Sequence, residues 1–259
     1  MDLHIQQKVF LISGGAKGIG EAISRCIAEE CAFPVIIDPS EIEGKKLTEE
    51  FAAKGIRSLH IAKRLSSPND AKEAVEVAVK VFDRIDGVIN NAGSNDGVGL
   101  ENGTPEAFRA SVEKNLGHYY DLVHYAIPHL KKSKGSIVNI GSKTAITGQG
   151  NTSGYIAAKG GQLSLTREWA VELLKYGIRV NAVIPAEVMT PLYKNWLETF
   201  EKPNLKLKEI EKRIPFENRM TTAEEIADTV VFLLSDRSSH TTGQLLFVDG
   251  GYTHLDRAL

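Results

Sequence analysis

Cysteine is scarce in this chain of 259 residues, which has only Cys26 and Cys31. There is no CxxC pair, and none of the seven histidines forms an HExxH, so neither a closed metal site nor a dithiol centre has its ligands. The two cysteines read as small apolar fillers in a reducing compartment. Charge of one sign is missing too: 31 basic against 33 acidic side chains leave −2, spread along the chain. That balance offers no face to nucleic acid or to an anionic membrane. No apolar run approaches the roughly 20 residues that span a bilayer. The start, MDLHIQQKVF, has neither the basic end nor the apolar stretch of a secretion signal. Repeats and low-complexity tracts are also absent. A soluble, cytoplasmic protein is the expectation.

What the chain does have is 42% apolar residues, enough for a full α/β core, arranged in a regular rhythm. Short β-branched runs at 8–14, 33–38, 58–63, 87–93, 136–142, 178–185 and 244–251 read as strands. They lack period-two alternation, as strands buried on both faces do. Helical patterns fall between them, near 18–31, 41–54, 68–83, 105–132, 153–175 and 222–234. This alternation predicts one Rossmann-type, doubly wound parallel sheet of seven strands with helices on both faces, in a single domain over 1–259. Segment 191–220 breaks the rhythm with charges, aromatics and interrupting prolines, and reads as a small helical lid.

The first strand runs into SGGAKGIG, residues 13–20. Gly14, Gly18 and Gly20 allow a tight turn close to a pyrophosphate, and a helix starting near Ile19 points its N–H groups at the phosphates. Asp38 ends the second strand some 20 residues later, where a carboxylate accepts hydrogen bonds from an adenosine ribose and repels a 2′-phosphate. That favours NAD over NADP. Lys17 and Arg64 pull toward NADP, and a turn aspartate before Pro39 is the plainer reading of Asp38.

The glycine spacing GxxxGxG, NNAG at 90–93, and Ser142 thirteen residues before the YIAAK of Tyr155–Lys159 together resemble the short-chain dehydrogenase/reductase family over essentially the whole chain. The longer stretches SKTAITGQGNTSGY, NAVIPAEVMTPLY and VDGGYTHLDRAL resemble its L-fucose dehydrogenase branch. The resemblance implies a catalytic tetrad of Asn115, Ser142, Tyr155 and Lys159, and a homotetramer. It also implies cofactor contacts from Asn91, Ala92, Gly93, Pro185, Val188 and Thr190, with Leu65 contributing its backbone. The residues support the tetrad independently. Tyr155 and Lys159 stand i,i+4 on one helix face. A free phenol titrates near 10, so a neighbouring ammonium and a nicotinamide cation are expected to lower it toward neutrality. Asn115 is expected inside the long helix 105–132, holding a water that links Lys159 to solvent.

Where the family usually has Pro-Gly after the sixth strand, this chain has Pro185-Ala186 and then Glu187. A carboxylate bordering a substrate cavity is costly unless something pairs with it, and adjacent hydroxyls of a sugar would do so. The alternative is a salt bridge outward to the lid. Asn95, Lys143, Gln149 and Asn151 supply further polar groups, and Trp196 a ring to stack on a sugar face. The resemblance then implies oxidation of L-fucose or a related aldose at C1 to the lactone, with hydride passing to NAD or NADP. A 3-oxoacyl or steroid-type reductase is the rival.

Overall fold

The computed structural model describes residues 2–255. Its strands are β1 (Val9–Ser13), β2 (Phe33–Ile37), β3 (Leu59–Ile61), β4 (Gly87–Asn90), β5 (Ser136–Ile140), β6 (Arg179–Pro185) and β7 (Leu245–Val248). All pair in parallel, in the order β3-β2-β1-β4-β5-β6-β7. The order reverses between β1 and β4, which opens a crevice at the carboxyl ends of the strands.

The connecting helices are α1 (Gly18–Glu29), α2 (Glu41–Ala53), α3 (Pro68–Phe82), α4 (Pro105–Val112), α5 (His118–Ser133), α6 (Thr144–Thr147) and α7 (Ser153–Leu173), then α8 (Pro191–Leu197), α9 (Pro203–Glu211) and α10 (Ala223–Leu234). Every residue of β1 is buried, and successive side chains serve opposite layers. Val9 and Leu11 pack with Val75 of α3, Leu122 of α5 and Trp169 of α7. Phe10 and Ile12 pack with Ile23 of α1 and Val230 of α10. Truncating one such side chain to alanine costs about 2–5 kcal/mol. The missing alternation in the sequence therefore has the cause expected of it.

Two boundaries differ from expectation. Six of the seven expected strands, all but the sixth, overran by one to three residues at their carboxyl ends, and among the overrun residues Gly14, Asp38, Asn91 to Gly93, Gly141 and Ser142 lie in the loops around the crevice. The helix expected over 105–132 is broken by a π-turn, Glu113–Gly117. There the Asn115 side chain accepts the Ser94 N–H at 2.8 Å and donates to the Ser111 carbonyl at 2.9 Å, so it acts on the backbone of two segments. Single π-turns of this kind recur at functional sites. The segment expected as a lid forms α8 and α9. Thr190 caps α8 by accepting the Tyr193 N–H at 3.2 Å, with Pro191 in the first turn.

Candidate active site

The glycine turn between β1 and α1 leaves no room for side chains. Gly14 has φ +66°, and a Cβ on Gly20 would stand 2.0 Å from the Gly14 carbonyl oxygen. Asn91 stitches this turn to β4: its side chain donates to the carbonyls of Ser13 and Gly14 at 3.1 and 3.0 Å. The backbone N–H groups of Asn91 and Ala92 both reach the Ser13 hydroxyl, at 3.0 and 3.1 Å. These bonds let the NNAG segment tie the centre of the sheet to the cleft.

Two cavities meet at this edge of the sheet. The first, about 420 Å³, is lined by Gly14, Lys17, Gly18, Ile19, Asp38, Asn91, Ala92, Gly93, Tyr155, Lys159, Pro185, Val188 and Thr190, among others. These are the positions read from the sequence as cofactor contacts, apart from Gly20, which is buried in the turn, and Leu65. The Leu65 side chain packs instead on the core layer of α3 and α5. The second cavity, about 920 Å³, is lined by Asn95, Lys143, Gln149, Asn151, Glu187 and Trp196, with Lys206 and Arg213 of the lid region and Tyr252 beyond β7. Ser142 and Tyr155 belong to both walls. A reacting group placed between the cavities would meet these two hydroxyls.

Asp38 is nearly buried and does two things at once. Its carboxylate accepts the Ala16 N–H at 3.2 Å and the Ser40 N–H at 2.9 Å, so it organises its turn while lining the cleft. Lys17 is drawn away to Glu43 at 2.9 Å, and Arg64 is exposed and does not line the cleft. Lys17 nevertheless lines the same cavity as Asp38.

Ser142 leaves β5 and shares a hydrogen bond of 2.9 Å with the Thr144 hydroxyl. Tyr155 lies in the first turn of α7, with Lys159 one turn on and its Nζ 5.6 Å from the Tyr155 ring centre. Lys159 is buried, donates to the Ile140 carbonyl at 2.7 Å and lies 3.3 Å from the Tyr119 hydroxyl. Burial pushes its pKa down to about 7. Burial likewise raises Tyr155 above 10, against the opposing pull of its hydrogen bond to Ser142. The expected lowering draws on Lys159 together with the nicotinamide cation; in the protein by itself desolvation dominates and the phenol stays above its ordinary value. Asn115 lies on the π-turn behind this pair, and its backbone carbonyl accepts the Gln162 side chain at 2.7 Å.

Glu187 follows β6, and its N-terminal neighbours are held by the loop after β5, where the Lys143 N–H reaches the Pro185 carbonyl at 3.0 Å. Its carboxylate is ion-paired with Lys143 and accepts the Tyr193 hydroxyl of α8 at 2.7 Å. Burial and that carboxylate together push the Tyr193 phenol well up, so it stays a donor. Both expectations for Glu187 are partly met: it lines the second cavity, and it is also bonded to the lid. The Lys143 ammonium sits 3.7 Å from the centre of the Tyr252 ring. Trp196 stands on the rim, 41% exposed, with its ring edge-on to Tyr193 and Phe200.

Sequence reasoning missed Tyr252, Arg213, Tyr119 and Gln162. Tyr119 carried a signal, since it lies four residues after Asn115 on the same helical stretch. Gln162 carried one too, three residues after Lys159. Tyr252 and Arg213 carried none, because only the tertiary fold brings their segments to the cavity. Among the described residues, no group of His, Cys, Asp and Glu is arranged to hold a metal, and no helix is long and apolar enough to cross a membrane.

The comparisons with known proteins agree with this geometry. A family model described as enoyl-(acyl carrier protein) reductase matches residues 14–253. The L-fucose dehydrogenase of Rattus norvegicus is 33% identical over 94% of this chain and 88% of its own. The 3-oxoacyl-[acyl-carrier-protein] reductase FabG of Thermotoga maritima is 33% identical over 96% of this chain and 99% of its own. Among solved structures, Cj0485 dehydrogenase superimposes with a TM-score of 0.95 at 46% identity, covering 100% of this chain and 99% of that one. The chain belongs to the short-chain dehydrogenase/reductase family, as an oxidoreductase that uses NAD(P) and acts on CH–OH groups.

Proposed function

We propose that this enzyme oxidises an aldopyranose, L-fucose or a stereochemical relative, at C1 to the lactone, with NAD as acceptor and NADP as the lesser alternative. The observation that carries this reading is the second cavity. A carboxylate and an ammonium, Glu187 and Lys143, stand in its wall beside the amides of Asn95, Gln149 and Asn151. Glu187 and Lys143 are already paired with each other, and adjacent hydroxyls of a sugar can add bonds to that pair and to the amides, whereas an acyl chain would cover them without offering any bond. The similarity to L-fucose dehydrogenase supports the same choice.

The glycine turn, Asn91 to Gly93, Pro185, Val188 and Thr190 would hold the nicotinamide cofactor, and Asp38 would accept bonds from its adenosine ribose. When bound, that group supplies the hydride acceptor. In the chain itself, Ser142 donates a hydrogen bond to the C1 oxygen of the sugar and orients it. Tyr155 takes the proton of the C1 hydroxyl as general base. Lys159 holds a positive charge near the phenol and favours its ionised form. Asn115 fixes Ser94 and Gln162 around this pair. Glu187 and Lys143 read the remaining hydroxyls, and Trp196 offers a ring at the rim. The enzyme is further inferred to be one cytoplasmic domain that assembles as a homotetramer. Exposed Tyr120 of α5 and Val171 of α7 support an interface on those helices.

The test is NADH or NADPH formation with a panel of L-fucose, L-galactose, D-arabinose, D-glucose and simple alcohols. Turnover of L-fucose and its relatives with NAD is the expected result, and no turnover of any sugar refutes the assignment. A second reading, 3-oxoacyl or steroid reduction, has its own support in the apolar lid side of the cavity, with Leu192, Phe200 and Ile210, and in the similarity to FabG. It predicts consumption of NADPH with acetoacetyl thioesters.

A further inference from the structure

The tetrad has a neighbour that its usual description leaves out. Tyr119 is completely buried on α5, and its hydroxyl lies 3.3 Å from Lys159 Nζ and 3.2 Å from the Ile140 carbonyl, to which it donates. With its proton committed to Ile140, the phenol oxygen turns a lone pair to the ammonium. Behind it, the Gln162 side chain bonds the Asn115 carbonyl at 2.7 Å, which ties α7 to the π-turn four residues before Tyr119.

We propose that Tyr119 is a positioning residue: its hydroxyl holds Lys159 in the protonated state and in place beneath Tyr155, and through Lys159 it sets the pH at which the general base becomes available. This rests on the assignment of Tyr155 and Lys159 made above. The groups that face Lys159 are few. On α7 there is Tyr155, 5.6 Å from Nζ to ring centre. On α5 there are Tyr119 and His118, whose rings are tilted with centres 4.8 Å apart. His118 is buried, and burial together with the charge of Lys159 pushes it down to about 4, so it contributes no charge at neutral pH. Burial raises the Tyr119 phenol further above 10, so it stays neutral and acts only as a dipole. Burial works against the ammonium, and the two oxygens of Ile140 and Tyr119 oppose it.

Tyr119→Phe removes one of these two oxygens, together with the phenol's own bond to Ile140 and its bond with the Gln162 side chain. The ring volume is kept, and the Ile140 carbonyl retains its bond from Lys159 at 2.7 Å. A hydrogen bond to a charged group of this kind corresponds to a shift of about one pH unit. Lys159 should therefore titrate about one unit lower in the variant. With a more acidic Lys159 beneath it, a smaller share of the pair carries its remaining proton on the lysine and leaves Tyr155 ionised.

Two measurements test this. The first is the pH profile of kcat/KM for sugar oxidation in wild type and Tyr119→Phe. The acid limb follows the first proton lost by the coupled Lys159–Tyr155 pair and should move down by about half a unit to one unit, onto a lower plateau, with NADH affinity unchanged. A variant that loses rate equally at all pH values, with the limb in place, overturns the proposal in favour of a merely structural phenol. The second is an NMR titration of the Lys159 side chain, assigned by its loss in Lys159→Met, which needs no substrate. A lower Lys159 pKa in Tyr119→Phe supports the proposal, and an unchanged one refutes it. If wild type oxidises no sugar at all, the functional reading fails by itself, and the lysine titration still decides Tyr119.

Discussion

Replacing Lys159 by methionine should destroy the enzyme's activity and make the protein more stable at neutral pH. The ammonium is almost completely enclosed, and burial lowers its pKa from 10.5 to about 7. A lysine whose pKa falls on folding binds fewer protons in the native state than in the unfolded one between those values. The native state is therefore penalised below about pH 10, increasingly so down to about pH 7, and fully below that. The difference corresponds to roughly 5 kcal/mol at most. Methionine keeps the apolar volume but gives up the bonds to Ile140 and Tyr119, whose net worth is about 1.5–3 kcal/mol. The Ile140 carbonyl is not orphaned, because Tyr119 still donates to it at 3.2 Å. A net gain of about 2 kcal/mol follows at pH 6, and in a chain of this size it raises Tm by about 5 °C. Thermal unfolding at matched protein concentration, run at pH 6 and at pH 10, reads it directly. The gap should be present at pH 6 and nearly closed at pH 10. A gap of the same size at both values, or a variant less stable at both, would refute the reasoning. This is the expected conflict between a buried catalytic charge and stability.

The other predictions concern the two cavities. Tyr155→Phe should lower sugar oxidation by at least about a thousandfold, since it removes the proton acceptor, while fluorescence titration shows NADH binding nearly unchanged. Asp38→Ala should raise the ratio of NADP to NAD turnover by about tenfold, as one unfavourable carboxylate–phosphate contact is removed. An unchanged ratio would leave Asp38 as the anchor of Ala16 and Ser40 only. Glu187→Gln should raise KM for the sugar about tenfold through loss of charge-assisted bonds, and leave KM for the cofactor in place. A fall in Tm with both KM values unchanged would instead limit Glu187 to latching Lys143 and Tyr193.

The strand–helix rhythm, the glycine turn and the Tyr155–Lys159 spacing are local properties, and so they could be read in order along the chain. Strands buried on both faces must be apolar throughout, a helix face repeats every three to four residues, and a turn without room for Cβ atoms demands glycine. Those rules determined the seven-stranded parallel sheet and most of the cleft. The π-turn at Glu113–Gly117 was not legible, because a helical pattern there differs by one inserted residue that only Asn115 and its partners justify. Nor was the sign of the Tyr155 shift. The spacing puts Lys159 beside the phenol, but how deeply both are enclosed depends on α5 and the neck of β5, far off in sequence. The partners of Glu187 likewise come from residue 143 on one side and the lid on the other, with Tyr252 arriving from beyond the last strand. Motifs record which groups the chemistry needs. Desolvation and pairing belong to the assembled fold, since both depend on what the rest of the chain packs around those groups.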